Sequence, residues 1–154
     1  MKKHVNKVSA IGLILFLFLT ISPGRLYTIY APIILKQEIP IEQQVLTLIN
    51  AQRANCTPLV INAKLQKAAI DRSNINAQNG TLVHTDLNII GTVYGYSWSA
   101  LAENIAAGQT TAPQVVQSWM NSKGHKENIV NCTYTETGIS RVGNYWTQVF
   151  GKPK

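Results

Sequence analysis

An uncharged apolar run from Val8 to Ile21, headed by Lys2, Lys3 and Lys7, constrains this chain most. A basic head and a short apolar stretch have the form of an export signal, and the run is short for a membrane-spanning helix. The Ile29-Tyr30-Ala31 triplet is a poor small-x-small cleavage match, and Pro23-Gly24 marks only the end of the run. Leu26, Ile29, Ile33, Ile34 and Leu35 follow Arg25, so an uncleaved anchor is the alternative. No cysteine lies near the run, which excludes a lipoprotein anchor there. Residues 1–31 are therefore a signal peptide or signal anchor, 32–40 a linker, and 41–154 one folded domain with a modest core.

Export bears on the two cysteines, Cys56 and Cys132. They are either one disulfide or two buried free thiols, and an oxidising destination favours the bridge. In the chain-entropy model a loop this long stabilises the fold by roughly 4 kcal/mol. A bridge would also remove both sulfurs as nucleophiles. The charge of +7 is partly a property of the leader. From Pro32 onward ten Lys and Arg stand against seven Asp and Glu, a net charge of +3. No Lys/Arg stripe with interleaved aromatics is present, so a nucleic-acid partner is not expected.

Ile41, Val45, Leu48 and Ile49 share one face of a helix that starts near Pro40. A second helix fits the stretch from Ala63 to Gly80, with Leu65, Ala68, Ala69 and Ile75 inward and Gly80 just past its end. Residues 81–110 are punctuated by glycines and small polar residues and read as loops and short turns. Thr111 can cap a third helix, with Pro113 in its first turn and Val115, Val116, Trp119 and Met120 on its apolar face. A short helix should start between Ser122 and Gly124. Two strand-like runs, ETGISRV and YWTQVF, flank Gly143-Asn144 and predict a hairpin. Helices first and strands last indicate an α+β fold.

Chemistry in the folded part has few carriers. His84 and His125 are the histidines outside the leader. His125 lies near a helix N-terminus, whose partial positive charge favours neutral imidazole, fit to be a base or a ligand. The alternative is a histidine that holds a turn through a carbonyl. Glu103, flanked by Leu101, Ala102, Ile105 and Ala106, needs a partner. It either staples a loop through backbone N–H groups or pairs with a histidine. No local metal-binding or serine-hydrolase motif is present. A metal set of His84, His125 and Glu103 would have to be assembled from distant segments, with an open position left for a catalytic ion.

The run of motifs VLTLINAQRANCTPLVIN, HTD, ENIAAG, SWMNSKGHKENIVN and YWTQVFG, in this order, resembles the bacterial branch of the CAP superfamily, or SCP domain. Cysteine-rich secretory proteins, antigen 5 and pathogenesis-related 1 proteins are its relatives. The resemblance covers about residues 41–151. It implies a three-layer α-β-α sandwich with a small antiparallel sheet and a cleft lined by His and Glu, which in some members binds a divalent metal such as zinc. His84 matches the first family histidine and Glu103 the glutamate of the EN motif. The second family histidine is replaced by Tyr145, at the head of Tyr145-Trp146-Thr147-Gln148, and Ser122 stands near the second glutamate position. The resemblance therefore implies His125, Tyr145, Gln148 and Glu136 as further cleft residues, and it adds support to the Cys56–Cys132 pair.

Three functions follow as expectations. One is a secreted or envelope-associated binding module for a lipid, another small apolar ligand, or an envelope or host protein. Tyr94, Tyr96 and Trp98 are either its lipid or glycan surface or simply core. Another is a metal-assisted, protease-like hydrolase with His84, Glu103 and His125 as catalytic candidates. The third is a structural interaction domain of the envelope. Membrane contact is expected only through an uncleaved leader.

Overall fold

The hairpin around Gly143-Asn144 forms the centre of the sheet. In a computed structural model that describes residues 38–154, β3 (Glu136–Val142) and β4 (Tyr145–Pro153) pair antiparallel, with Val142 opposite Tyr145. Gly143 turns the chain at φ 57°, a conformation that suits glycine. The leader and most of the linker lie outside the described residues.

Four helices form where the apolar periodicity places them. α1 (Ile41–Ala51) buries Val45, Leu46 and Ile49, and Pro40 is its N-cap. α2 (Ala63–Asn79) is capped by Asn62, whose Oδ1 accepts from the Lys64 N–H at 2.9 Å, and it ends at left-handed Gly80. Its buried stripe runs Leu65, Ala68, Ala69, Ser73 and Asn76. Ile75 lies off that stripe and is exposed, which corrects the expectation from its hydrophobicity. The next expected helix (Ala112–Met120) has Thr111 as N-cap and Pro113 in its first turn, and the last covers Lys123–Val130.

The segment 81–110 corrects the sequence reading. It holds a short helix, α3 (Ile89–Tyr94), and the longest strand, β2 (Trp98–Ala107). The helices after it are therefore α4 and α5. From Ala102 to Ala106 β2 is buried at every position, because both of its faces are covered. Continuous burial and small residues erase the alternation that marks a half-exposed strand.

The sheet order is β1-β3-β4-β2. β2 pairs antiparallel with β4, and the two-residue β1 (Val60–Ile61) pairs parallel with β3. The sheet is thus mixed, with its parallel part confined to that short edge. Helices α2 and α3 cover one face and α1, α4 and α5 the other, giving the three layers. On the α2 side a Cβ at Gly138 would run into the Leu65 carbonyl, so the helix backbone rests directly on the strand. Beyond β1, Gln66 takes over the edge of β3, accepting from the Ile139 N–H at 3.0 Å and donating to its carbonyl. No helix among the described residues is long and apolar enough to cross a membrane.

Opposite the α2 layer, Arg53 is almost fully buried without a carboxylate partner. Its guanidinium donates to the carbonyls of Ile129 at 2.6 Å, Tyr134 at 2.8 Å, Asn131 at 2.9 Å and Thr57 at 3.2 Å. Burial pulls its pKa down. Beside it the expected disulfide joins Cys56 to Cys132.

Candidate functional site

Successive strand residues point to opposite faces, and Glu103 and Asn104 on β2 use that alternation. Glu103 faces the α2 layer and collects the loop between α2 and α3. The Thr85 N–H donates to Oε1 at 2.8 Å, the Thr85 hydroxyl donates to Oε2, and His84 Nδ1 lies 2.9 Å from Oε1. Arg72 Nε in turn donates to the Thr85 hydroxyl oxygen at 2.8 Å, and the Val83 N–H to Asn76 Oδ1 at 3.2 Å. Asn104 faces the other layer and collects α5. Its Nδ2 donates to the His125 carbonyl at 3.1 Å, and Asn128 Nδ2 donates to Asn104 Oδ1 at 2.9 Å. Two adjacent side chains thus anchor, from opposite layers, the segments that carry the two histidines, and His125 lies close enough to His84 to feel its charge.

The outer edge of β2 is itself covered. The Glu103 carbonyl accepts from Asn128 Nδ2 at 3.4 Å, and the Leu101 carbonyl accepts from the Tyr134 hydroxyl at 3.4 Å. Side chains occupy positions where a further strand would pair.

The Glu103 side chain is 2% exposed and that of His84 60%. A carboxylate accepts, so His84 Nδ1 carries a proton, and Nε2 bears a lone pair when the ring is neutral and a second proton when it is charged. His125 is half-buried. Its pKa is lowered by burial first and by the charge of His84 second. The helix terminus invoked from sequence gives the same direction, but it is not the principal cause. Leu82 and Val83, immediately before His84, are exposed aliphatic side chains.

The expected metal set does not fit as three direct ligands. Both Glu103 oxygens are engaged by the loop, and no three His, Cys, Asp or Glu side chains among the described residues are placed to share one ion. The remaining expected cleft residues separate. Tyr145 is half-buried and lies at the start of β4, its hydroxyl near Gly80. Gln148 is fully buried opposite Asn104 and Ile139, so it lines no open cleft. Its even position in β4 turns it into the α1/α4/α5 core. Glu136 stands opposite Gly151, two residues along β4 from the partner of Glu103. Its Oε2 accepts from the Tyr96 hydroxyl at 2.7 Å and from Asn62 Nδ2 at 3.1 Å, a separate network. Thr85, Arg72, Asn104 and Asn128 escaped the sequence reading. The adjacency of Glu103 and Asn104 was the available signal, once the segment is read as a strand.

A family profile described as the cysteine-rich secretory protein family (CAP) matches residues 26–150. The uncharacterized protein YkwD of Bacillus subtilis is 36% identical over 118 residues, 71% of this chain and 46% of YkwD. The uncharacterized membrane protein YlbC of the same organism is 40% identical over 50 residues, 32% of this chain and 14% of YlbC. The chain thus spans less than half the length of either relative. Among solved structures, an extracellular SCP-domain protein from Bacillus anthracis superposes with a TM-score of 0.68 at 26% identity, over 72% of this chain and 40% of that one. An outer surface protein of Borrelia burgdorferi gives 0.64 at 25% identity, over 75% of this chain and 97% of its own.

Proposed function

The chain belongs to the cysteine-rich secretory protein (CAP) family, and from that premise we propose that it is an extracytoplasmic binding module whose recognition site is the histidine pair over the edge of β2. The observation that carries this reading is His84, mostly exposed yet fixed at Nδ1 by a buried carboxylate. A fixed imidazole presents one oriented lone pair or, when protonated, one oriented donor. Exposed Leu82 and Val83 beside it offer an apolar surface. Together they suit a small amphipathic ligand, its polar head at His84 and His125 and its apolar body along the loop. The extracellular SCP-domain protein of B. anthracis and the outer surface protein of B. burgdorferi support an extracytoplasmic place for the chain.

Titration of the oxidised protein with a fluorescent fatty acid tests the reading. Saturable binding is expected, with affinity falling about tenfold or more in His84→Ala, the scale of one lost oriented polar contact. Saturable binding that is indifferent to His84→Ala and His125→Ala would place the ligand elsewhere. A metal-assisted reading keeps one observation in its favour: a ligating imidazole commonly gives its second nitrogen to a carboxylate, as His84 does to Glu103. Zinc calorimetry on the same variants separates it, since a bridged ion requires both histidines and a fatty-acid site does not require zinc.

A further inference from the structure

Away from the histidines, an open groove of about 600 Å³ lies between α3 and the start of β2. That size is in the range of ligand sites. Its lining contains Trp98, neutral polar residues and Lys154, and no Asp or Glu side chain. Trp119 and Trp146 are buried, whereas Trp98 is half-buried and lines the groove. Gly91 leaves room for the indole, since a Cβ there would sit 3.3 Å from Trp98 Nε1. Asn88 gives Nδ2 to Asp86, which leaves its Oδ1 open, and Ser97 contributes a hydroxyl at the surface. A second groove of about 360 Å³ shares Tyr96, Ser97 and Lys154 with the first and continues toward the start of α2, past Lys64, which donates to the Gly95 carbonyl, and Glu136, which accepts from Tyr96 and Asn62.

We propose that this groove is a binding site for a neutral oligosaccharide, with the Trp98 ring as the platform and Trp98 Nε1, Ser97 and Asn88 bonding sugar hydroxyl or acetamido groups. The lining chemistry excludes the alternatives in turn. A cation would find no acidic side chain in the main groove. A multiply charged anion would find a single lysine there. A purely apolar ligand would cover polar groups without pairing them, which is unfavourable. A linear, uncharged chain with apolar ring faces and hydroxyl edges satisfies both the indole and its polar neighbours. The continuation past Ser97 gives such a chain room for more than one unit.

The exposure pattern supplies the assay, because Trp98 is the tryptophan a quencher can reach. Chitotetraose added to the full chain is expected to protect emission from acrylamide saturably and several-fold, with an affinity indifferent to salt. Trp98→Phe should remove the quenchable emission, and Ser97→Ala, an exposed change that leaves packing alone, should weaken binding several-fold. The proposal is overturned by an absence of saturable protection, by unchanged affinity in Ser97→Ala, by affinity that fades as salt rises, or by equal protection from tetraglutamate.

Discussion

The two faces of the sheet are filled in different ways. Toward α1, α4 and α5 the space is taken by side chains: Trp119, Trp146, Phe150, Ile139 and Ile129 are all buried. Toward α2 it is taken largely by backbone. Gly138 lies against the Leu65 carbonyl and the Gln66 nitrogen, the Ser73 hydroxyl donates to the Ser140 carbonyl at 3.3 Å, and Gly151 leaves room for the Leu65 side chain and the Tyr96 ring, so the helix sits directly on the sheet. A face packed by large side chains carries stability in interchangeable volume. A face packed by close backbone approach leaves no slack, but its low profile lets the loop with His84 descend to Glu103 at the edge. The candidate site lies where the two kinds of packing meet.

Substitutions can break that contrast. Phe150→Ala empties part of the side-chain face and is expected to cost about 3–5 kcal/mol in chemical denaturation. A loss well under that would mean the aromatic face collapses to fill the space. Gly138→Ala adds a single methyl on the backbone face, where Leu65 cannot yield without moving α2. Overpacking of this kind costs about 1–3 kcal/mol. Unchanged stability would show that α2 floats on the sheet instead of resting on it.

The smallest effect is one of pH, at the junction of the faces. His125 takes its proton at lower pH in the folded chain than in the unfolded one, through burial first and His84 second. Above about pH 6.5 both states are neutral there and His125 contributes nothing. As the pH falls through that value the unfolded chain binds the proton first, so stability declines until the folded His125 also protonates. His84→Ala should raise the His125 midpoint in an NMR titration and shrink the acid loss. An unmoved midpoint would contradict the electrostatic closeness of the two imidazoles.

Much of this arrangement is legible in the sequence, and the gaps have physical causes. The amphipathic stripes of α1 and α4, the Asn and Gly at the ends of α2, and the Gly143-Asn144 turn each carry a local signal. β2 carries none, since burial on both faces leaves alanines and two polar residues where alternation would be read. Losing β2 as a strand also hides the site, because the opposed directions of Glu103 and Asn104 exist only in a strand. Glu103 as a loop staple and Glu103 as a histidine partner were alternatives from sequence; one carboxylate does both. Gln148 was misplaced because a motif position says nothing about which face of β4 it occupies.

Arg53 has a consequence for the order in which the molecule is assembled. It reaches from the end of α1 to carbonyls on both sides of Cys132, while its own carbonyl accepts from the Cys56 N–H at 2.9 Å. The two sulfurs are therefore brought face to face by noncovalent contacts that do not involve them. These contacts hold the two segments without the sulfurs, and with two cysteines there is one intramolecular pairing to make. A chain of this design can fold first and be sealed afterwards, wherever on its route it meets an oxidant.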